Sequence, residues 1–215
     1  MSRSIPQQPR AQAPRAARPE VILASASATR ARLLRAAGVA CRCQAAALDE
    51  DEVKADLRAR GAAPAEVATE LARLKALGVS EAWPRAFVIA ADQVLVCEGT
   101  SFDKPADRAA ARAQLAALSG RAHELVTATC LARQGALLWR HGEAARLVMR
   151  ELSEAFIEDY LARLGAAAQS SVGGYQIEGL GGQLFHRIEG DFFAILGLSL
   201  LPLLEALRAH RVIAR

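Results

Sequence analysis

The sequence predicts an α/β protein built on a twisted mixed β-sheet flanked by helices, and three observations carry that prediction. Short apolar runs rich in Val, Ile and Leu are interspersed with longer stretches of helical periodicity from Val21 onward. Glycines at positions 38, 99, 120 and 165 punctuate the changeovers. The chain has 215 residues, 52% of them apolar, which suffices for one sizeable core rather than two.

Val21-Ile22-Leu23 reads as a short buried strand, and the small residues Ala24 to Ala28 lead into a helix over Thr29 to Ala37, stopped by Gly38. Val39 to Gln44 can form a second strand. The acidic stretch Asp49-Glu50-Asp51-Glu52 reads as a loop, followed by an amphipathic helix from Pro64 to about Leu77. The strongest strand signal is Phe87 to Ala91, which runs through Asp92-Gln93 into Val94 to Cys97 before a turn at Glu98-Gly99. Asp107 caps a helix from Arg108 to Leu118. Glu124 to Leu131, Ala136 to Arg140 and Ala145 to Arg150 read as strands, and Ser153 caps a helix reaching Gly165. Five glycines follow within residues 173 to 182, then a strand over Phe192 to Leu196 and a closing helix from about Leu200 to Ala209.

The formal charge of +4 is a property of the N-terminus. Residues 1–18 hold Arg3, Arg10, Arg15 and Arg18 and no acid, leaving 23 basic against 23 acidic groups in the body. A neutral body lacks the broad positive surface that drives binding to nucleic acid, so no stable nucleic-acid partner is expected. Four of the eight prolines fall within residues 1–19, and the composition of 1–18 predicts a disordered tail ahead of a single domain, 19–215. An Arg-rich, acid-free start is also the composition of an organelle transit peptide. Cys41, Cys43, Cys97 and Cys130 are scattered without metal or redox spacing. With no membrane-length apolar run and no secretory signal, the expected setting is cytoplasmic, with no membrane partner.

Asp92 is the residue that asks for chemistry. A carboxylate set in an apolar run is costly to bury unless a cation or hydrogen bonds compensate it. Either it begins a turn and faces water, or it binds a divalent cation shared with substrate phosphates, for which Glu50 is the natural second acid. The turn Ser25-Ala26-Ser27-Ala28-Thr29-Arg30 places hydroxyls and free amides at a helix start, a ready anion site. Arg30 there opposes the helix dipole, which makes sense if a phosphate balances it; alternatively it extends into solvent. Only Lys54, Lys75 and Lys104 stand against 24 arginines, so the lysines that remain suit sites needing compact charge. Lys104 is stiffened by Pro105, whereas Lys54 reads as an ordinary surface residue. The four histidines show no ligand spacing. Trp83 and Trp139 read as core or rim rather than as base-stacking rings.

Taken in order, Leu23-Ala24-Ser25-Ala26-Ser27 with Arg30, Leu48-Asp49-Glu50, Ala91-Asp92-Gln93, Asp103-Lys104-Pro105, Leu118-Ser119-Gly120, Glu178-Gly179-Leu180-Gly181 and Ile188-Glu189-Gly190 resemble the Maf family of nucleotide pyrophosphatases. The resemblance covers residues 21 to about 205. It implies an α/β fold with a deep cleft, a divalent cation (Mg2+ or Mn2+), and hydrolysis of a nucleoside triphosphate to the monophosphate and pyrophosphate. In this reading Asp92 matches the proton acceptor and a metal-associated acid, Glu50 a second metal-associated acid, and Ser25, Arg30, Lys75 and Lys104 the phosphate-contacting positions. The implied roles are removal of modified nucleotides or, alternatively, nucleotide-sensing regulation of cell division and septum formation with little turnover. A homodimer is left open.

Three positions tied in the family to base choice correspond to Thr29, Gln93 and Glu178. Gln93 and Glu178 look like the branch acting on 7-methyl-GTP, whereas the branch preferring dTTP and UTP tends to have Thr and Gln there, with Arg in place of Thr29. Thr29 also departs from the aromatic residue of the methyl-guanine branch, which removes a stacking ring and part of a cation–π preference. Ser170-Ser171 stands where many members have Asp-Lys.

Overall fold

The computed structural model describes residues 19–214; the expected disordered tail lies outside the described residues. Strands β1 (Val21–Leu23), β2 (Arg42–Cys43), β3 (Phe87–Cys97), β4 (Thr100–Phe102), β5 (Ala122–Arg133), β6 (Ala136–Met149) and β7 (Phe185–Glu189) form one mixed sheet in the order β2-β1-β3-β5-β6-β7, with β4 also on β3. The pairs β1/β2 and β1/β3 are parallel and the rest antiparallel. Helices are α1 (Ala28–Ala36), α2 (Glu50–Ala59), α3 (Pro64–Ala82), α4 (Arg108–Leu118), α5 (Glu154–Leu164), α6 (Phe192–Ile195) and α7 (Leu200–Ala209).

Alternation along β3 divides the core. Val88, Ala90 and Val94 pack on the face covered by α3, through Ala68, Leu71, Ala72, Ala76 and Val79. Phe87, Ile89 and Ala91 face the opposite side, against Leu33 and Leu34 of α1 and Leu203 and Leu207 of α7. Leu95 and Cys97 continue that side under α4 and α5. Asp92 and Gln93, adjacent in sequence, therefore leave β3 on opposite faces.

The pairing of β3 also creates an opening. On one side β5 runs alongside Val88 to Val96. On the other, β1 pairs with Phe87 to Ile89 and β4 with Leu95 to Cys97, so Ala90 to Val94 meet no strand there. The gap lies just beyond the carboxyl end of the parallel strand β1, where ligands of open α/β sheets are commonly held.

Several sequence expectations need correction. The acidic loop is the start of a ten-residue helix, α2: Asp49 is its N-cap, accepting from the Glu52 amide at 3.0 Å, and the acids of its first turn suit the helix dipole. Phe192 to Leu196 is not a strand. Asp191 Oδ1 accepts from the Ala194 amide at 2.9 Å and winds the segment into the short helix α6. Strand β2 keeps only two of the six residues expected, and α3 runs on to Ala82. Ala136 to Met149 is one strand rather than two. Strands β4 and β7, unpredicted, complete the sheet.

Candidate active site

A cleft of about 1220 Å3 opens at the gap in β3. All nine residues singled out from the sequence line it: Ser25, Thr29, Arg30, Glu50, Lys75, Asp92, Gln93, Lys104 and Glu178. Their arrangement is more interlocked than the sequence suggested.

Asp92 points to the α3 face and does not begin a solvent-facing turn; it is only 7% exposed. Lys75, in phase with the apolar stripe of α3, donates to Asp92 Oδ1 at 2.7 Å and lies 2.9 Å from Glu50 Oε1. One ammonium thus joins two carboxylates from different elements and compensates the buried acid. An ammonium carries three donors, and these contacts engage two. Among the described residues no group of three His, Cys, Asp or Glu converges to hold a metal. Glu50 and Asp92 are a two-carboxylate set, which suits a hard cation that takes its other ligands from phosphate oxygens and water.

Arg30 does not extend into solvent. Its Nε donates to the Gly197 carbonyl and its Nη1 to the Ala91 carbonyl, both at 2.7 Å, with a weaker bond from Nη1 to Ser25 Oγ at 3.3 Å. Ala91 lies in the stretch of β3 that has no strand partner on the β1 side, so the guanidinium fills the place of a missing strand. Burial lowers the pKa of this guanidinium, and the negative charges of Asp92 and Glu50 oppose that shift. Gly197, at φ +91°, lets the side chain in: a Cβ there would stand 3.3 Å from both Nε and Nη2. Ser27 caps α1 by accepting from the Arg30 amide at 3.3 Å, and the first-turn amides of Ala28 and Thr29 border the cleft.

Lys54 is not an ordinary surface residue. Because the acidic stretch is helical, Lys54 turns into the cleft and donates to Asp103 Oδ1 at 2.9 Å, while Arg58 donates to Asp103 Oδ2 at 2.9 Å. Desolvation is the largest single effect on the Lys54 ammonium and pulls it down, but the bond to Asp103 and the negative charges of Asp103, Asp92 and Glu50 together outweigh it and raise it. All three lysines of the chain therefore line one cavity. Lys104 makes no ion pair among the described residues; desolvation first, then the like charge of Arg30, lowers its pKa. A cation in that position is relieved by an anion.

Gln93 points to the other face. Its Nε2 donates to Thr127 Oγ1 and the Ala194 carbonyl at 2.9 Å and to the Ile195 carbonyl at 3.2 Å, tying α6 to the sheet. The amide nitrogen is thus engaged within the chain, which leaves the amide oxygen for a ligand. Glu178 pairs with Arg32 of α1 at 2.8 Å, a partner the sequence reading missed. Ser170 Oγ accepts from Gln176 Nε2 at 2.9 Å and steadies the segment that carries Glu178. Neither tryptophan lines the cleft: Trp83 packs on the α3 core beneath Arg42, and Trp139 stacks on His141.

An α/β sheet interrupted at its central strand, with helix-start amides and four cations around two joined carboxylates, defines a protein equipped for a phosphorylated ligand. The chain belongs to the Maf family: the family model described as Maf-like protein matches residues 20–210. It is 53% identical over 189 residues, 88% of this chain and 97% of the relative, to a protein of Paramagnetospirillum magneticum named nucleoside triphosphate pyrophosphatase. It is 52% identical to a Granulibacter bethesdensis protein of the same name, covering 90% of this chain and 98% of that one. A Brucella abortus protein named 7-methyl-GTP pyrophosphatase is 48% identical over 194 residues, 90% of this chain and 98% of its own.

Proposed function

We propose that this chain is a nucleoside triphosphate pyrophosphatase, a hydrolase acting on the acid anhydride between the α- and β-phosphates, and that it works with Mg2+ or Mn2+. The observation that carries the reading is the Asp92, Lys75 and Glu50 cluster on the floor of a cation-lined cleft. The names of the relatives support the reaction class. Glu50 and Asp92 would hold the cation together with substrate phosphate oxygens; when bound, it supplies charge neutralisation at the phosphates.

The chain's own residues divide the remaining work. The first-turn amides of α1 and the Ser25 hydroxyl bind phosphate oxygens, and the Nη2 of Arg30, not needed for its carbonyl bonds, reaches the same anion. Lys104 and the third donor of Lys75 offset the charge that builds on the leaving pyrophosphate. Asp92, held by its bond from Lys75, takes the proton of a water as that water's oxygen bonds the α-phosphorus and the bond to the β-phosphate oxygen breaks.

At the base end, Glu178 and the amide oxygen of Gln93 are acceptors suited to guanine N1–H and N2–H, and the carboxylate suits a 7-methylated, positively charged ring. 7-Methyl-GTP is therefore the favoured substrate over dTTP or UTP, in keeping with clearance of modified nucleotides. Four free cysteines support a reducing, cytoplasmic setting.

Purified protein assayed on 7-methyl-GTP, GTP, dTTP and UTP with Mg2+ or Mn2+ should release pyrophosphate, and excess chelator should stop it. Nucleotide binding without product would refute the hydrolytic reading and favour a sensor. Release in the presence of chelator would refute the metal requirement.

A further inference from the structure

The carboxylate of Glu178, placed at the base end of the cleft, is already paired with a cation that has no role in the reaction described above. Arg32 Nη2 lies 2.8 Å from Glu178 Oε1, joining α1 to the glycine-dense segment across 146 residues of sequence. Both side chains line the cleft. Arg32 follows Thr29 by three residues on α1, so the two share one side of the helix. The backbone presenting Glu178 is tightly fixed: the amides of Gly179 and Gly181 both donate to the Gln176 carbonyl at 3.1 Å, and a Cβ at Gly181 would lie 2.4 Å from that oxygen. A rigid turn thus delivers a carboxylate already paired with a cation, with Oε2 left for a ligand.

We propose that Arg32 is a specificity-determining positioning residue that acts through Glu178. The inference rests on the hydrolytic reading given above. A lone carboxylate at the base end would attract a cationic 7-methylguanine ring more strongly than neutral guanine. With a guanidinium bonded to it, the same carboxylate acts on a charged ring as one end of a dipole, and its charge discrimination weakens while its acceptor role stays. Arg32 therefore broadens the base preference of a site whose other residues favour the methylated ring.

The test compares kcat/KM for 7-methyl-GTP and GTP in the wild type, Arg32→Leu, Arg32→Lys, Glu178→Gln and the Arg32→Leu/Glu178→Gln double variant. Removing Arg32 should raise the 7-methyl-GTP to GTP ratio about two- to fivefold, the span expected for a partly exposed ion pair. The change should fall in KM rather than kcat, Arg32→Lys should restore the wild-type ratio, and Arg32→Leu should change nothing further when Glu178 is already Gln. A ratio unmoved by Arg32→Leu, or moved equally in the Glu178→Gln background, would overturn the proposal alone. So would turnover confined to pyrimidine triphosphates. No turnover of any triphosphate would overturn the hydrolytic reading and this inference with it.

Discussion

Replacing Lys75 with methionine tests the logic of the cleft floor, because methionine keeps roughly the length and helix propensity of lysine while removing its charge and its hydrogen-bond donors. Asp92 is 7% exposed, and Lys75 is its ion-pair partner among the described residues. Removing one member of a buried pair costs about 3–5 kcal/mol. Asp92 borders the open gap in β3 and Arg30 contributes favourable charge nearby, which places the loss at the lower end, about 3 kcal/mol. Glu50, whose side chain is 42% exposed, adds little. For a domain of this size that loss corresponds to a fall in Tm of about 6–12 °C. Thermal and urea unfolding of Lys75→Met would read it. The double variant Lys75→Met/Asp92→Asn removes both charges and should recover most of the stability while remaining inactive. A single variant melting within about 2 °C of the wild type, or a double variant no more stable than the single, would refute the reasoning.

Two further outcomes follow from contacts elsewhere in the core and at the cleft wall. His123 is 2% exposed, bonds Tyr175 Oη through Nε2 at 2.9 Å, and burial lowers its pKa from 6.5 to about 4. The unfolded chain binds its proton first as pH falls, so stability present above pH 6.5 is lost progressively down to about pH 4, by up to about 3 kcal/mol. Urea unfolding across that range should show a weaker acid dependence in His123→Phe; an identical dependence would contradict the assignment. Gly197→Ala adds a Cβ against Arg30 at a φ of +91° and should cost about 1–3 kcal/mol in stability. With Arg30 displaced, KM should rise about tenfold, the equivalent of about 1.4 kcal/mol of phosphate binding. Unchanged KM would show that Arg30 does not reach the nucleotide.

The fold was legible wherever the local pattern agreed with tertiary context. An acid inside the β3 run marked Asp92, and a hydroxyl-rich turn before an apolar helix marked the start of α1. The Phe192 to Leu196 run misled because five apolar residues fit a strand or a buried helix equally, and the Asp191 cap decides between them. Lys54 was misread for a related reason: its direction depends on α2, which the acidic stretch disguised as a loop. Lys75 was marked by the scarcity of lysine and given a role by the family resemblance, but its phase with Leu71, Ala72, Ala76 and Val79, which puts a cation on a buried stripe, was a signal left unread. The Arg32 and Glu178 pair and the carbonyl ligands of Arg30 are products of tertiary topology. No local periodicity encodes a contact between residues 146 or 167 positions apart.

The role proposed for Asp92, proton acceptor for the attacking water in a metal-assisted hydrolysis, is the step on which the mechanism turns. It is tested most directly by measuring pyrophosphate release and nucleotide affinity for Asp92→Asn with Mg2+ present. Loss of the proton acceptor should lower kcat about 100- to 10,000-fold, with nucleotide binding retained. Turnover at the wild-type rate by a variant that still binds nucleotide would contradict it.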